Sequence, residues 1–379
     1  MQKKILFVAT VASHIKAFHL PYLKMMRDRG YKTYVAANWN LQQDEKLDYC
    51  DKFLQLSIQR SPYSIQNLNA IKKLKKIINE EKFDIVHCHT PMGAVITRLA
   101  SKKARKKYDT RVIYTAHGFH FYNGAPKKNW LLFYPVEKAL AKFTDVLITI
   151  NKEDYQLAKT KFFKKCKNII YVPGVGIDVK KFEKKLSKNE EQLLKKSLNI
   201  KADDYILLCV ARLDNNKNQG FLIKVMQQLT QTIPNIHLLL AGRDELNHFY
   251  QDMVNEYRLT DRVHFLGNRD DIPELLSISN VVLSASKREG LPVNVLEAFA
   301  AGKPFVALRG RGTEDLITNG ENGYVVEFND YNQFAECILK LYNNKKISKQ
   351  MGENNLKKIK NYDIEVIKKE MLNIYNMRW

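Results

Sequence analysis

Two glutamates eight residues apart, Glu289 and Glu297, are the most informative ionisable side chains in the sequence. They lie within residues 284–304, and Gly290-Leu291-Pro292 follows the first of them. Pro292 suits the first turn of a helix, whose free backbone N–H groups would bind a phosphate or a hydroxyl group. Each carboxylate could accept hydrogen bonds from two vicinal hydroxyls. The spacing alone arises by chance, and the surrounding Gly-Leu-Pro and Ala-Gly-Lys-Pro segments make the pattern specific.

A basic pair stands where a second predicted strand leads into a helix. Arg212 and Lys217 follow the apolar run Tyr205–Val210 and precede Gly220. A guanidinium forms two parallel hydrogen bonds to phosphate oxygens and an ammonium acts as a point charge, so together they suit a diphosphate. An isolated Arg–Lys pair usually lies in a solvated loop and binds nothing. The position of this pair at the end of a strand favours a binding site.

Histidines follow strands in the first half of the chain. His117 and Gly118 come after the predicted strand Val112–Thr115, at the edge of a sheet where ligands usually bind. A single histidine is more often structural, but this position favours contact with a reacting sugar. His87 and His89 share one face of another strand. Because no second group of ligands lies near them in the sequence, we expect no metal site there.

Short β-like runs that alternate with amphipathic helical patterns must position these side chains. The predicted strands are Ile5–Thr10, Thr33–Ala37, Phe53–Leu56, Ile85–Cys88, Val112–Thr115, Val146–Ile150, Ile169–Val172, Tyr205–Val210, Ile236–Ala241, Val263–Phe265, Val281–Ser284, Pro304–Ala307 and Tyr324–Val326. Alternation of this kind implies parallel sheets with helices on both faces. Because 379 residues exceed what one hydrophobic core normally holds, we expect two domains.

The best domain boundary is the segment Val172–Asp178, where one proline and two glycines interrupt the pattern. It divides the chain into residues 1–172 and residues 173–362. We therefore expect an α/β protein with two doubly wound parallel-sheet domains facing a central cleft, which is the usual ligand site of such folds.

The sequence resembles the retaining GT-B glycosyltransferases of the family-4 type. The residues that carry the resemblance are Arg212, Lys217, His117-Gly118, Glu289-Gly290-Leu291-Pro292 and Glu297. The similarity covers nearly the whole chain. The opening segment Ala9–Tyr22 is similar to a subgroup that builds bacterial capsular and exopolysaccharide units.

The resemblance implies that the second domain holds a nucleotide-sugar donor. Arg212 and Lys217 would grip the donor diphosphate, and Glu297 would hold the nucleotide ribose. Glu289 would contact the donor sugar. The other donor-binding residues are expected to be Gly290, Leu291 and Pro292. The segment Gly242-Arg-Asp stands where the family usually has Gly-x-Gly, which leaves the contacts to the base open.

The resemblance also places His117 beside the donor sugar and the reacting bond. The residues expected to act in catalysis are His117, Glu289, Arg212 and Lys217. His14 and Gly118 are the candidates on the acceptor side. The first loop after a strand, Thr10–His14, lacks the glycine pair of many relatives, so the acceptor contacts stay open.

The activity that the resemblance implies is transfer of a sugar, with retention of configuration, from a UDP-sugar to a saccharide carried on a polyprenyl diphosphate. The departing phosphate oxygen would take the acceptor proton, so no separate base is required. We expect neither a metal nor a cofactor, and the sequence has no Asp-x-Asp motif to hold a metal. The C-terminal helix, about residues 363–379, is expected to return to the first domain.

The net charge of +22 lies almost wholly in the first half of the chain. Residues 1–185 hold 36 Lys and Arg against 15 Asp and Glu, whereas residues 186–379 hold 26 against 25. A lysine-rich genome would raise the number of basic residues in both halves of the chain. The asymmetry therefore predicts an anionic partner for the first domain. One predicted helix there has an apolar stripe, Leu68, Ile71, Leu74, Ile77 and Ile78, and a lysine surface, Lys72, Lys73, Lys75 and Lys76. A second basic run is Lys102, Lys103, Arg105, Lys106 and Lys107.

We expect this partner to be an anionic membrane surface at the inner face of the cell membrane, with the protein cytoplasmic and peripherally attached. Five scattered cysteines without a CxxC motif agree with a reducing compartment. No nucleic acid is expected, since aromatic residues are not interleaved with the basic runs. Two alternatives stay open: a UDP-sugar epimerase on the same fold, and a basic nucleic-acid-binding protein.

Overall fold

The computed structural model describes residues 2–42, 44–183 and 185–377. The chain divides into two compact units. Unit 1 comprises Met1–Gly176 with Ile364–Trp379, and unit 2 comprises Ile177–Asp363. The division falls a few residues after the predicted boundary at 172. Residues 378 and 379 of the predicted C-terminal segment lie outside the described residues.

Each unit contains one sheet, and all strand pairs in the described residues are parallel. The strands of unit 1 are β1 Lys4–Val11, β2 Lys32–Asn38, β3 Lys52–Gln55, β4 Ile85–Cys88, β5 Arg111–Ala116, β6 Val146–Thr149 and β7 Asn168–Tyr171. Those of unit 2 are β8 Tyr205–Val210, β9 Ile236–Ala241, β10 Val263–Gly267, β11 Val281–Ser284, β12 Phe305–Leu308 and β13 Gly323–Val326. The order is β3-β2-β1-β4-β5-β6-β7 in unit 1 and β10-β9-β8-β11-β12-β13 in unit 2. The predicted fold class and strand positions are confirmed.

Helices connect the strands, as parallel pairing requires. They are α1 Ala12–Phe18, α2 Leu20–Arg27, α3 Gln66–Glu81, α4 Pro91–Ala100, α5 Lys102–Lys107, α6 Lys127–Leu140, α7 Lys152–Phe162, α8 Lys188–Ser197, α9 Gln219–Leu229, α10 Phe249–Glu256, α11 Ile272–Ile278, α12 Val293–Ala300, α13 Arg311–Leu316, α14 Tyr331–Asn343, α15 Lys345–Lys358 and α16 Ile364–Asn376. Short 3₁₀ helices occupy Ala141–Phe143, Val179–Phe182 and Ile359–Tyr362. Within the described residues, no helix combines the length and the apolar composition needed to cross a membrane.

Both faces of the sheet in unit 1 are covered by helices, which explains why its strands are apolar throughout. Side chains of α3, α4, α5 and α7 join one buried cluster, and those of α1, α2 and α16 join the cluster on the other face. Ile367, Met371 and Tyr375 of α16 are among the buried side chains of the second cluster. The C-terminal helix therefore packs within unit 1, although it is far from it in sequence.

The sheet order of unit 1 brings three distant segments to one edge. β4 pairs with β1 through Val8 and Cys88, and with β5 through Cys88 and Tyr114. Because the three strands are parallel and adjacent, the residues that follow them lie together at the carboxyl edge of the sheet. The segments concerned begin at Ala12, His89 and His117.

The predicted apolar stripe of α3 is wrong at its first position. Leu68 is 59% exposed, whereas Ala70, Leu74 and Ile78 are buried with the neighbouring Asn67. The buried face follows the helical spacing of three and four residues from position 67, which leaves position 68 outside it. The four lysines of this helix are exposed, as predicted.

Candidate active site

In unit 2, the predicted basic pair and the first glutamate follow two neighbouring strands. β8 and β11 pair directly, so the loops after them lie side by side. Lys217 Nζ is 2.5 Å from an oxygen of Glu289. The backbone N–H of Lys287 also donates to the Asn216 carbonyl at 2.8 Å, and the Asn216 amide donates to the Arg288 carbonyl at 3.1 Å. The two predicted segments therefore form one connected structure.

Arg212 lies at the end of β8 with its side chain 61% exposed. Its guanidinium is 3.3 Å from Asp214 and 3.9 Å from Glu245. Exposed ion pairs of this kind contribute little to stability, so the guanidinium is free to turn to an anionic ligand. Asp214 also accepts backbone N–H groups from Asn216 and Lys217 at 2.9 and 2.8 Å, which shapes the loop. The sequence analysis missed Asp214.

Gly242, at the end of β9, lies directly against the start of the Arg212 segment. A Cβ added there would lie 2.0 Å from the carbonyl oxygen of Ala211. Its N–H donates to the Gly267 carbonyl at 2.8 Å. The glycine of the Gly242-Arg-Asp segment is thus needed for close packing of the strand ends that position Arg212.

Glu297 lies in the second turn of α12 and is half-buried. Burial raises the pKa of its carboxyl group to about 7, and the charge of Lys181 opposes this shift. A carboxylate held out of water in this way is a strong acceptor for a hydroxyl-bearing ligand.

The segment between the two glutamates is held from one side by α13. Pro292 is the N-cap residue of α12, and Leu291 is 9% exposed. A Cβ at Gly312 would lie 2.2 Å from the carbonyl oxygen of Gly290. The Arg311 Nε–H donates to the Glu289 carbonyl at 3.2 Å. Gly312 was missed by the sequence analysis, although the Gly-Arg-Gly segment after β12 is a usable signal.

In unit 1, the predicted residues His14 and His117 are brought together. His14 lies in α1 and His117 follows β5, and their ring centroids are 4.8 Å apart. Gly118 has a φ of +137°, a backbone conformation that favours glycine and turns the chain after His117. The next residue, Phe119, donates its N–H to Asp154 at 3.0 Å, which anchors the loop.

Two further histidines complete the group: His89, which the sequence pairs with His87 on one strand face, and His19, which lies in the opening segment Ala9–Tyr22. His19 stacks on His89 with 3.8 Å between ring centroids. His89 Nδ1 is 3.3 Å from His117 Nε2. Burial lowers the pKa of His14 to about 4, and burial together with neighbouring imidazoles lowers the pKa of His19, His89 and His117 well below the usual value. All four rings are therefore neutral at pH 7.

His87 has a structural role in the same unit. Its Nδ1 is 2.8 Å from the Tyr375 hydroxyl, and its Nε2 is 2.8 Å from the Thr115 hydroxyl. Both ring nitrogens thus have partners, and one of them ties α16 to the sheet. His87 and His89 lie side by side, as strand alternation predicted, with ring centroids 4.1 Å apart.

Two family models match separate parts of the chain. The model described as glycosyl transferases group 1 matches residues 190–358, and the model described as glycosyl transferase 4-like matches residues 4–151. The first region contains the Arg212, Lys217, Glu289 and Glu297 group. The second contains His14 and His117.

Known proteins resemble the chain over nearly its full length. EpsD of Bacillus subtilis (strain 168), which is named as a glycosyltransferase, is 42% identical over 99% of this chain and 97% of EpsD. The Escherichia coli UDP-Gal:alpha-D-GlcNAc-diphosphoundecaprenol alpha-1,3-galactosyltransferase is 28% identical over 83% of this chain and 81% of its own length. Among solved structures, Anabaena Alr3699/HepE in complex with UDP and glucose has a TM-score of 0.78 at 20% identity, with 98% of this chain and 99% of that chain covered. The chain belongs to the GT-B glycosyltransferases of the family-4 type, in the capsular and exopolysaccharide subgroup that its motifs resemble.

Proposed function

We propose that this glycosyltransferase moves a sugar, with retention of configuration, from a UDP-sugar to a saccharide on a polyprenyl diphosphate. The observation that carries the proposal is the Lys217–Glu289 contact of 2.5 Å beside the exposed Arg212, in a segment that leads into α12. It places two cations and a carboxylate at neighbouring strand ends, where a nucleotide-sugar has a diphosphate and a sugar hydroxyl to bind.

The leaving diphosphate gains negative charge as the glycosidic bond breaks. Arg212 and Lys217 supply positive charge for it, which stabilises the transition state without a metal ion. When the diphosphate binds, Lys217 can exchange its bond to Glu289 for one to a phosphate oxygen. That exchange frees the Glu289 carboxylate to accept a hydroxyl of the donor sugar. The pair is thus suited to respond to the donor.

Glu297 would bind the ribose, since a half-buried carboxylate of raised pKa gains most from two hydroxyl donors. His117 would contact the donor sugar beside the reacting bond. His14 and Gly118 would line the acceptor side. The departing phosphate oxygen would accept the proton of the acceptor hydroxyl, so His117 need not act as a base.

The relatives support this choice of substrates. The E. coli relative is named for a UDP-galactose donor and a diphosphoundecaprenol acceptor. A Campylobacter jejuni relative, 25% identical over 98% of this chain, is likewise named for an acceptor on diphospho-undecaprenol. We infer that this chain also uses a lipid-linked saccharide and works at the cytoplasmic face of the membrane.

The helical layer of unit 1 offers a surface for such a membrane. α4 contacts both α3 and α6. Because α3 and α6 each connect two parallel strands, their first turns lie toward the carboxyl edge of the sheet. The exposed apolar side chains at these helix starts are Tyr63, Ile65, Leu68, Leu131 and Leu132. The exposed lysines of the same two helices are Lys72, Lys73, Lys75, Lys76, Lys127, Lys128 and Lys138. Apolar groups that enter the interface, flanked by cations near anionic headgroups, fit peripheral attachment.

The second basic run, residues 102–107, offers less positive charge to a membrane than its composition suggested. Arg105 donates from Nε to Asp145 at 3.0 Å and from Nη1 to the Lys142 carbonyl at 3.1 Å. Its charge is therefore satisfied inside unit 1. The exposed residues of this run are Lys102, Lys103, Lys106 and Lys107.

The experiment that tests the function separates it from both alternatives. The purified protein is incubated with a panel of UDP-sugars and an undecaprenyl-diphosphate-linked saccharide, and both donor and lipid are analysed by mass spectrometry and NMR. A lengthened lipid saccharide is the expected result. An epimerised donor with unchanged lipid would indicate the epimerase. If neither product forms and the protein binds nucleic acid, the result would indicate a basic nucleic-acid-binding protein.

A further inference from the structure

We propose that His14, His19, His89 and His117 form a binding site for a divalent transition-metal ion such as Zn²⁺, and that an ion bound there inhibits sugar transfer by occupying His117. The inhibitory part rests on the proposed function, whereas binding does not. Within the described residues, these four side chains offer ligand atoms that all lie within 4.8 Å of one another.

The topology of unit 1 creates this group. His89 and His117 directly follow β4 and β5, whereas His14 lies in α1 and His19 lies between α1 and α2. The main chain holds two of them firmly. The N–H of His89 donates to the Val8 carbonyl at 2.8 Å, and the N–H of His19 donates to the Ile15 carbonyl at 2.8 Å. The ligands thus stand on a fixed backbone, as a metal site requires.

The separations between ring nitrogens fit tetrahedral coordination. Zn–N bonds of about 2.0–2.1 Å place two ligand nitrogens of a tetrahedral site about 3.3–3.4 Å apart. His14 Nε2 and His19 Nε2 are 3.3 Å apart, and so are His89 Nδ1 and His117 Nε2. Two opposite edges of the tetrahedron are therefore already formed. The widest separation, 4.8 Å, closes with a shift of roughly 1.5 Å in the side chains.

The apo cluster leaves a polar atom without a partner. His89 is fully buried, and its Nε2 has no hydrogen-bond partner among the described residues. A buried nitrogen without a hydrogen-bond partner is destabilising. A cavity of about 20 Å³, lined by His19, His87, His89 and Thr115, lies beside it. The space is large enough for one water. A water there would give His89 Nε2 a hydrogen-bond partner and leave Nδ1 available to the ion.

The chemistry of the ligands selects the kind of ion. Imidazole nitrogens suit Zn²⁺, Co²⁺, Ni²⁺ and Cu²⁺, whereas Mg²⁺ and Ca²⁺ prefer oxygen ligands. Imidazole binds a metal through a ring nitrogen in its neutral form. His87 is not available as a ligand, since Tyr375 and Thr115 occupy both its ring nitrogens.

The site can be tested by equilibrium dialysis of the full chain against Zn²⁺, with bound metal measured by mass spectrometry. We expect one ion per chain, no displacement by excess Mg²⁺, and an affinity reduced at least about tenfold in His19→Ala and His89→Ala. The matched control is His264→Ala. It removes a histidine of unit 2 whose ring nitrogen is 2.9 Å from His237, and it should leave Zn²⁺ binding unchanged.

Further readouts keep the result interpretable. Circular dichroism checks that each variant is folded, and the visible spectrum of the wild-type chain with Co²⁺ reports tetrahedral nitrogen ligation without any mutation. Absence of saturable Zn²⁺ binding in the wild type, or equal affinity in His19→Ala and His264→Ala, would overturn the site. If Zn²⁺ binds but transfer continues at the same rate, the inhibitory part is wrong. A chain that binds Zn²⁺ yet transfers no sugar without it would refute the proposed function alone.

Discussion

At the scale of single residues, burial raises the pKa of Glu297, the residue that we propose binds the ribose. Its pKa is raised to about 7 because α12 holds it partly out of water. Two ribose hydroxyls would donate hydrogen bonds to this carboxylate. Ligand binding should then favour the ionised form, so affinity for UDP should fall as the pH drops below about 7.

Glu297→Gln tests this role. Hydrogen bonds to a charged group contribute about 1.5–3 kcal/mol, so the affinity for UDP should fall roughly ten- to a hundredfold. Isothermal titration calorimetry measures it. Glu370→Gln is the matched control, because burial also raises the pKa of Glu370, which lies in unit 1. Equal UDP affinity in the wild type and in Glu297→Gln would refute the ribose contact.

The raised pKa of Glu297 also predicts how stability depends on pH. The folded-state pKa of about 7 exceeds the ordinary value of 4.5, so the stability that the protonated group contributes is present below 4.5 and lost as the pH rises through 7. Glu297→Gln stays neutral. It should therefore match the wild type near pH 4.5 and have a higher Tm above pH 7, by about 2–4 °C for each kcal/mol. Differential scanning fluorimetry of both proteins across this pH range measures the difference in Tm. A difference that does not depend on pH would contradict the raised pKa of Glu297.

At the scale of elements, the sequence predicted strands better than it predicted contacts. The thirteen predicted strands lie where the structure has them, because buried parallel strands are continuous apolar runs such as Tyr205–Val210. His14 and His19 are close in sequence, but His89 and His117 reach them only through the β1-β4-β5 order, which no local pattern encodes. Leu68 was misplaced because the buried face of α3 begins at Asn67, a polar residue that an apolar pattern overlooks.

The contact between α13 and Gly290 can be used to test whether the segment 289–292 binds the donor. Gly312→Ala would place a Cβ 2.2 Å from the Gly290 carbonyl, so the loop must shift. We expect weaker UDP-sugar binding, by about tenfold, for a shift costing about 1.4 kcal/mol. Gly310→Ala is the control, because a Cβ there meets only Thr313, at 3.6 Å. Calorimetry with both variants compares them directly, and equal affinities would show that the contact does not position the loop.

The lysines of α3 give a test of membrane attachment. Lys72, Lys73, Lys75 and Lys76 changed together to Gln should reduce binding to anionic vesicles, because each basic residue near the surface contributes about 1 kcal/mol. Co-sedimentation at low and high salt measures it. The control changes four exposed lysines of unit 2, Lys345, Lys346, Lys349 and Lys357, and alters the net charge equally. The same loss in both variants would show that only total charge matters.

Changing the exposed leucines of α6 tests whether apolar side chains insert into the membrane or whether attachment is only electrostatic. Leu131→Gln with Leu132→Gln removes two apolar groups, 77% and 48% exposed, without altering charge. If these side chains enter the lipid interface, vesicle binding should weaken even at low salt. Binding that equals the wild type at every salt concentration would limit the contact to electrostatics.

At the scale of the whole molecule, strand–helix alternation and chain length were enough to predict two doubly wound domains. The charge asymmetry predicts that the first of them faces a polyanion, since the excess of positive charge lies in residues 1–185. In the proposed function, each unit supplies its own part of the chemistry. Unit 2 carries the Arg212, Lys217, Glu289 and Glu297 group, and unit 1 carries the four histidines. The proximity of those histidines could not be predicted from the sequence, because it depends on the order of strands in the sheet.

The central claim is retaining transfer that the chain's own cations support without a metal. The most direct measurement is the anomeric configuration of the sugar added to an undecaprenyl-diphosphate-linked saccharide, determined by NMR in reactions with excess EDTA. The account predicts undiminished transfer, a product with the same anomeric configuration as the UDP-sugar, and loss of transfer in Arg212→Ala. An inverted product, or activity lost with EDTA and restored by Mg²⁺ or Mn²⁺, would contradict it.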